Sequence, residues 1–187
     1  MSSMITRETT VCFTGHRTEK LPGGGDENSP VTKAIKSLLY KAVSDCIDSG
    51  CRCFVTGLAR GIDLWAGEIV LDQKARGKDV RLTAVFPYRS HGSSFKGYDK
   101  WALGNIVHEA DEIVYASEEY TPYCMKKRNE YMVNRSGKII AVVSDYRSGT
   151  GQTIRLAEKA GLDVILIDAA EIARQSEKYK DSSFNVL

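Results

Sequence analysis

Two glycine-rich segments of this sequence combine residue types that can bind a phosphate group. The first, TGLARGID, places Gly57 directly after a run of β-prone residues and Gly61 directly before a segment with helical periodicity. Gly61 lets the backbone approach a ligand or adopt a positive φ, and the N–H groups of a following helix attract anions. Asp63, in the first helical turn, suits either the helix dipole or a ribose hydroxyl. A plain strand-to-helix turn explains the same residues equally well.

The second segment, SGTGQT, repeats this chemistry near the C-terminal end of the chain. It offers Ser148, Thr150 and Thr153 as hydroxyl donors and Gly149 and Gly151 as points of backbone access. Hydroxyls and unpaired N–H groups at the start of a helix are well suited to a phosphate. One such segment is weak evidence, but two in a single chain favour the phosphate hypothesis over a pair of plain turns.

Cationic and aromatic residues in other loops extend the candidate site. Arg17 suits bidentate binding of a phosphate, or pairs on the surface with Glu19. His16 titrates near neutrality, although a histidine without a visible partner is more often structural. The basic run 126–129 reads equally well as an anion clamp or as a solvated face. Aromatic side chains cluster in two loops and are candidates for stacking on a base, namely Tyr88, Trp101 and Tyr120.

Short β-rich runs alternate with longer helical runs, a pattern typical of a parallel α/β sheet. The predicted strands are 10–15, 51–57, 79–87, 111–116, 137–144 and 163–168. The predicted helices begin at Ser29-Pro30, which reads as an N-cap pair, and cover about 62–76, 100–109, the second half of 120–136, and the segment ending at Ala160. The sequence therefore predicts a doubly wound, mostly parallel Rossmann-like sheet of about six strands with helices on both faces.

In such a fold the strand-to-helix loops meet at the carboxyl edge of the sheet, where ligands bind. All the loops described above fall at this edge, and their convergence is the main argument for a binding site. The predicted ligand and phosphate contacts are Gly15, His16, Arg17, Gly57, Arg60, Gly61, Asp63, Arg128, Asn129, Ser148, Gly149, Thr150, Gly151 and Thr153.

Composition excludes several other classes of protein. The chain has 187 residues, 42% of them hydrophobic and 27% charged, with a formal net charge of +2. This balance gives no support of its own to DNA binding, and nucleic acid is a secondary possibility as a partner. Five cysteines show no zinc spacing, so we expect buried thiols and no metal site. No segment approaches a membrane span or a signal peptide, so a cytoplasmic protein without a membrane partner is expected.

The motifs together resemble the SLOG superfamily, the Rossmann-like domains shared by DNA-processing protein A and the cytokinin-activating LOG enzymes. The resemblance rests on GHR at 15–17, TGLARGID followed by WAGE, RNEYMV at 128–133 and SGTGQT at 148–153, and it covers about residues 10 to 168. The YpsA-like branch is the nearest in pattern. The resemblance implies binding of a nucleotide-derived ligand, often by a homo-oligomer, with no other cofactor known.

The sequence departs from the LOG pattern at the residue that would make it an enzyme. LOG enzymes carry P-G-G-x-G-T-x-x-E, whose glutamate serves cleavage of the N-glycosidic bond, and Thr153 occupies that position here. Such cleavage needs a carboxylate beside an oxocarbenium-like state. Asp63 and Glu68 are the candidate catalytic substitutes. Whether the chain is an enzyme stays open at this point.

Three functions remain as hypotheses. The first is a module at 1–170 that binds a nucleotide or nucleotide-derived small molecule as a sensor or sequestering protein, followed by a helical extension or frayed tail at 171–187. The alternatives are a nucleoside-monophosphate phosphoribohydrolase and a single-stranded DNA binder.

Overall fold

A computed structural model, which describes residues 6–182, shows an α/β sandwich around one parallel sheet. The strands are β1 (Thr10–Gly15), β2 (Cys53–Thr56), β3 (Arg81–Phe86), β4 (Glu112–Tyr115), β5 (Lys138–Val143) and β6 (Asp163–Asp168). The helices are α1 (Pro30–Asp48), α2 (Ile62–Ala75), α3 (Gly97–Glu109), α4 (Cys124–Arg135), α5 (Gly149–Lys159) and α6 (Ala169–Ser182), with a short 3-10 helix at Thr18–Lys20. The predicted doubly wound fold is confirmed, and every described strand pair is parallel.

The strand order is β4-β3-β2-β1-β5-β6, so the chain reverses direction across the sheet between β1 and β5. Such a reversal leaves a crevice at the carboxyl ends of the two central strands. The central strands β1, β2, β3 and β5 are buried along almost their whole length, whereas β4 is mostly exposed and β6 mostly half-buried at the two edges of the sheet. Burial on both faces explains why the central strands read as apolar runs without alternation.

The helices divide into two layers. Apolar side chains of α1, α2 and α3 share one core with the sheet and with Ala169 at the start of α6. Met132 and Val133 of α4 and Ala157 of α5 cover the other face. All five cysteines are buried and free, as predicted. No helix within 6–182 is both long and apolar enough to cross a bilayer.

Local sequence signals account for most of the helix boundaries. Ser29 caps α1 by accepting a hydrogen bond from the Thr32 N–H at 3.5 Å, and Pro30 occupies the first turn, as predicted. Helix α3 begins at Gly97, earlier than the predicted start near residue 100. Helix α6 follows β6 without a loop and packs on α1. The predicted C-terminal tail falls partly on this helix, and residues 183–187 lie outside the described part of the chain.

Candidate functional site

A cavity of about 1180 Å³ opens at the carboxyl edge of the sheet, where the order of the strands reverses. Its walls come from the loops after β1, β2, β3 and β5 and from α4. Twelve of the predicted site residues line it: Gly15, His16, Arg17, Arg60, Asp63, Tyr88, Arg128, Asn129, Ser148, Gly149, Thr150 and Thr153. The fold therefore brings together residues that are up to 138 positions apart in the sequence.

A buried ion pair forms the floor of the cavity. Nη1 of Arg128 lies 3.3 Å from Oδ2 of Asp63, and both residues are less than a tenth exposed. The same Nη1 donates a hydrogen bond to the Gly57 carbonyl, and Asp63 also accepts the Ala59 N–H at 3.2 Å. Burial raises the pKa of Asp63, while the Arg128 guanidinium and the Ala59 N–H oppose that rise. Asp63 thus holds Arg128 in place, and its Oδ2 serves both Arg128 and the Ala59 N–H.

Arg128 has more hydrogen-bonding capacity than its protein partners use. Its Nε atom is buried and has no hydrogen-bond partner among the described residues. Burial lowers the pKa of Arg128, Asp63 opposes this, and the positive charge of Arg17, which lines the same cavity, lowers it further. Two guanidinium groups in the lining of one cavity favour a bound anion.

The helix N-terminus of α5 faces the same space. Ser148 caps the helix by accepting the Gly151 N–H at 3.4 Å, and it donates to the Asp145 carbonyl at 2.5 Å. Gly149 and Thr150 follow it in the first turn and line the cavity. First-turn N–H groups have no acceptor within the helix, and the helix dipole makes them attractive to an anion. The predicted phosphate segment thus lines the same cavity as Arg128.

His16 connects the end of β1 to this second segment. The Asp145 N–H donates to His16 Nε2 at 3.2 Å, so Nε2 carries no proton. The proton is therefore on Nδ1, which donates to Thr150 Oγ1 at 3.3 Å. Burial lowers the pKa of His16, which disfavours the charged form of the ring. In this tautomer His16 cannot act as a base for the Thr150 hydroxyl, so its role is to fix the two loops.

Three of the predicted ligand-contact glycines serve the packing of the loops themselves. A Cβ on Gly61, whose φ is +83°, would lie 2.7 Å from the His16 carbonyl oxygen. A Cβ on Gly57 would overlap the Arg128 guanidinium, and one on Gly151 would overlap the Tyr146 carbonyl. None of these glycines lines the cavity. The expectation that Gly57, Gly61 and Gly151 give a ligand access to the backbone therefore has to be corrected: they allow neighbouring loops to touch.

The TGLARGID loop also contains a strained residue that the sequence did not reveal. Leu58 is fully buried with a φ of +61°, a conformation that costs energy for a residue with a Cβ. Its carbonyl accepts a hydrogen bond from Nε2 of the buried His91 at 3.0 Å. Burial lowers the pKa of His91. His91, in the loop after β3, therefore holds the TGLARGID loop in this unusual geometry.

The aromatic side chains separate into one group inside the cavity and one outside it. Tyr88, His91 and Phe95 line the cavity and pack edge to face at 5.4 to 5.5 Å between ring centroids. We call these three residues the aromatic wall. Tyr120 packs on the outside of Tyr88 and is 67% exposed. Trp101 packs beside Tyr98 on the surface of α3. Of the three predicted stacking residues, only Tyr88 lines the site.

Glu68 lies outside the cavity. Five residues separate it from Asp63 on α2, which corresponds to a rotation of about 140° around the helix axis. Glu68 accepts a hydrogen bond from the Tyr98 hydroxyl and lines a second cavity of about 480 Å³ between α1, α2 and α3. The candidate catalytic role of Glu68 is thus not supported by its position. The Thr153 hydroxyl, at the LOG glutamate position, accepts from Asn129 Nδ2 at 2.8 Å and donates to the Gly149 carbonyl.

Cations outnumber carboxylates around the cavity. Its lining includes eight lysine and arginine side chains and three carboxylates. Two of the carboxylates already pair with lining cations, Asp63 with Arg128 and Glu130 with Lys126. Arg60 pairs with Glu19 at 2.7 Å on the rim. The excess positive charge suits a ligand that carries several negative charges.

A family model confirms the resemblance that the motifs suggested. The model described as the YspA SLOG family matches residues 11–169. The chain belongs to this family. A UPF0398 protein of Staphylococcus haemolyticus is 24% identical over 143 residues, which are 75% of this chain and 76% of that protein. The SPbeta prophage-derived protein YoqJ of Bacillus subtilis is 26% identical over 147 residues, 72% of this chain and 86% of that protein.

Two solved structures share the fold. DNA processing protein A from Helicobacter pylori, whose structure was described for its single-stranded DNA binding mode, superposes with a TM-score of 0.59 at 18% identity, covering 92% of this chain and 74% of that chain. DNA processing protein A from Streptococcus pneumoniae gives a TM-score of 0.58 at 18% identity, covering 91% of this chain and 56% of that chain.

Several residues that line the cavity were not among the predicted contacts. His91, Phe95, Lys96 and Asp99 come from the loop after β3 and the start of α3, where no periodic pattern marks an orientation. Others lie on α4 and α5, namely Met125, Gln152, Arg155, Leu156 and Lys159. The helical spacing of positions 152, 155, 156 and 159, which fall on one face of α5, is the one feature of the sequence that could have predicted the second group.

Proposed function

We propose that this chain binds a nucleotide or nucleotide-derived small molecule in the cavity at the carboxyl edge of the sheet. One observation carries the proposal: the buried Arg128, whose Nε has no partner among the described residues, lines the same cavity as Arg17 and the N-terminus of α5. A phosphate group would supply the missing acceptor and would neutralise the two guanidinium groups. Its remaining oxygens would accept the N–H groups of Gly149 and Thr150.

The dimensions and lining of the cavity support a nucleotide over a free phosphate ion. A volume of about 1180 Å³ exceeds the usual upper range for small-molecule sites, and its walls combine many charged and polar side chains with a smaller number of apolar ones. The aromatic wall and the groove beside α5 leave room for the sugar and the base on either side of the phosphate.

We propose binding without turnover, as in a sensor or a sequestering protein. Glycoside cleavage needs a carboxylate that is free to act on the substrate. Asp63 is engaged by Arg128 and Ala59, and Glu68 lies outside the cavity. A phosphoribohydrolase reaction is thus disfavoured, and incubation with nucleoside monophosphates should release no free base above the buffer control.

A test begins with native mass spectrometry of the purified protein, followed by thermal shift with a panel of nucleotides. A ligand that binds only the folded state raises the midpoint of thermal unfolding, and the stabilisation grows with the logarithm of the ratio of ligand concentration to Kd. Calorimetry of Arg17→Ala should then show affinity about 10- to 100-fold weaker, the loss expected for charge-assisted hydrogen bonds. Arg147→Ala is the matched control, since the Arg147 side chain is 97% exposed and does not line the cavity. Equal affinity of both variants would refute the proposal.

Single-stranded DNA is the second candidate, because the lining is rich in cations and a structural neighbour is described for that binding mode. Phosphate neutralisation releases counterions, so DNA binding would weaken steeply with salt. This function would be favoured by a short oligonucleotide that binds more tightly than every mononucleotide. The slope of log K against log salt concentration should then correspond to three or more released ions. Salt-insensitive binding of a mononucleotide favours the first.

A further inference from the structure

The cavity continues from the sheet edge into a groove between α4 and α5, which we call the α4/α5 groove. One face of α5 lines it through Gln152, Arg155, Leu156 and Lys159, at the spacing of a helical stripe. Leu156 lies seven residues beyond Gly149, which is about 10 Å along the helix axis. The groove therefore leads away from the proposed phosphate position over a distance comparable with the length of a nucleotide.

The floor and the sides of this groove have the chemistry of a base-binding site. Met125 on α4 and Leu156 on α5 are half-buried apolar side chains that face the cavity. Apolar side chains from the two helices would contact the faces of a planar ring through dispersion and burial. Methionine is an adaptable contact for aromatic rings because its thioether is polarisable.

Two amide side chains stand beside these apolar residues. Asn129 uses its Nδ2 to donate to Thr153, which leaves the Oδ1 acceptor facing other partners. The Gln152 side chain is exposed and makes no hydrogen bond within the described residues. An amide offers a donor and an acceptor side by side, the pattern with which glutamine and asparagine recognise the edge of a base.

The aromatic wall is a weaker candidate for reading the base. Its rings pack edge to face against one another, and Tyr120 packs against Tyr88 from outside. His91 Nε2 is committed to the Leu58 carbonyl. The wall thus supplies apolar surface, while the amides that can distinguish one base from another lie in the α4/α5 groove.

We infer that the base of the bound nucleotide lies in the α4/α5 groove, between Met125 and Leu156, and that Gln152 selects among bases. This inference rests on the proposed function. It makes Gln152 a specificity residue that contributes to base preference and leaves phosphate binding to Arg17 and Arg128.

The test compares Gln152→Leu with wild type by calorimetry, using the four ribonucleoside monophosphates and ribose 5-phosphate as a probe without a base. Wild type should prefer one base about 10-fold or more, the effect of one or two well-placed hydrogen bonds. In Gln152→Leu the preference should fall to about 3-fold or less. The affinity for ribose 5-phosphate should stay within about 2-fold of wild type. Glu158→Leu, on the solvent-facing side of α5, is the matched control and should keep the base preference.

Each other outcome has a distinct meaning. A Gln152→Leu protein that keeps the base preference, or a wild type that has none, would overturn the base assignment while the proposed function stands. An equal loss for ribose 5-phosphate and the nucleotides would also overturn it, because Gln152 would then serve the phosphate or the sugar. If neither ribose 5-phosphate nor any nucleotide binds, the proposed function itself fails.

Discussion

Replacing Asp63 by alanine should destabilise the protein far more than an ordinary buried substitution. The carboxylate lies 3.3 Å from Arg128 Nη1, and both residues are less than a tenth exposed. Alanine would leave a buried guanidinium without its counter-charge and the Ala59 N–H without its acceptor. Breaking a buried pair from one side costs about 3–5 kcal/mol, and we expect a loss near 4 kcal/mol in the free energy of unfolding. Urea denaturation followed by circular dichroism measures it.

A double-mutant cycle separates the pair from the surrounding packing. If the cost of Asp63→Ala arises from an unpaired Arg128, then Asp63→Ala in an Arg128→Met background should cost about 2 kcal/mol less than in wild type. Arg128→Met keeps most of the apolar volume and removes the charge. The view that Asp63 holds Arg128 would be refuted if the losses in unfolding free energy of the two single variants simply add in the double variant. It would also be refuted if Asp63→Ala stays within about 0.5 kcal/mol of wild type.

Three further predictions test other parts of the site. Gly61→Ala should lower the free energy of unfolding, measured by urea denaturation, by about 3 kcal/mol, because the added Cβ would lie 2.7 Å from the backbone in a positive-φ conformation. Gly149→Ala, whose added Cβ would have no atom within 4 Å, should stay within about 0.5 kcal/mol of wild type. Burial lowers the pKa of His16, so its contribution to stability is complete above its unfolded pKa of about 6.5 and declines as the pH falls. The drop in the urea midpoint from pH 7.5 to 5.5 should therefore be smaller in His16→Gln, and equal drops would contradict this. Glu68→Gln should leave nucleotide affinity unchanged in calorimetry, since Glu68 lies outside the cavity.

The fold was predictable from the sequence because its signals are local. The apolar runs at 10–15 and 163–168 match β1 and β6 to the residue. Ser29 and Pro30 mark the start of α1 through the capping bond and the fixed φ of proline. The alternation of strands and helices then restricts the topology to a right-handed parallel sheet, whose carboxyl edge collects the loops.

The site was predictable in position but less so in detail, because contacts between loops depend on tertiary packing. Gly61 reads as an access point in the sequence, but the backbone that it meets belongs to a loop more than forty residues earlier. Trp101 is an aromatic residue near the right loop, yet it faces solvent because of its phase on α3. His91 has no sequence pattern that links it to Leu58, which lies 33 positions earlier.

The central claim is that a phosphate group binds between Arg17, Arg128 and the N-terminus of α5. The most direct measurement is a titration of ¹⁵N-labelled protein, followed by two-dimensional NMR, with the nucleotide that gives the largest thermal shift. Hydrogen bonds to phosphate should produce the largest amide shifts at Gly149 and Thr150, with a further shift of the Arg128 Nε–H resonance. Shifts centred on Trp65 in the second cavity, with Gly149 and Thr150 unmoved at saturation, would contradict the claim.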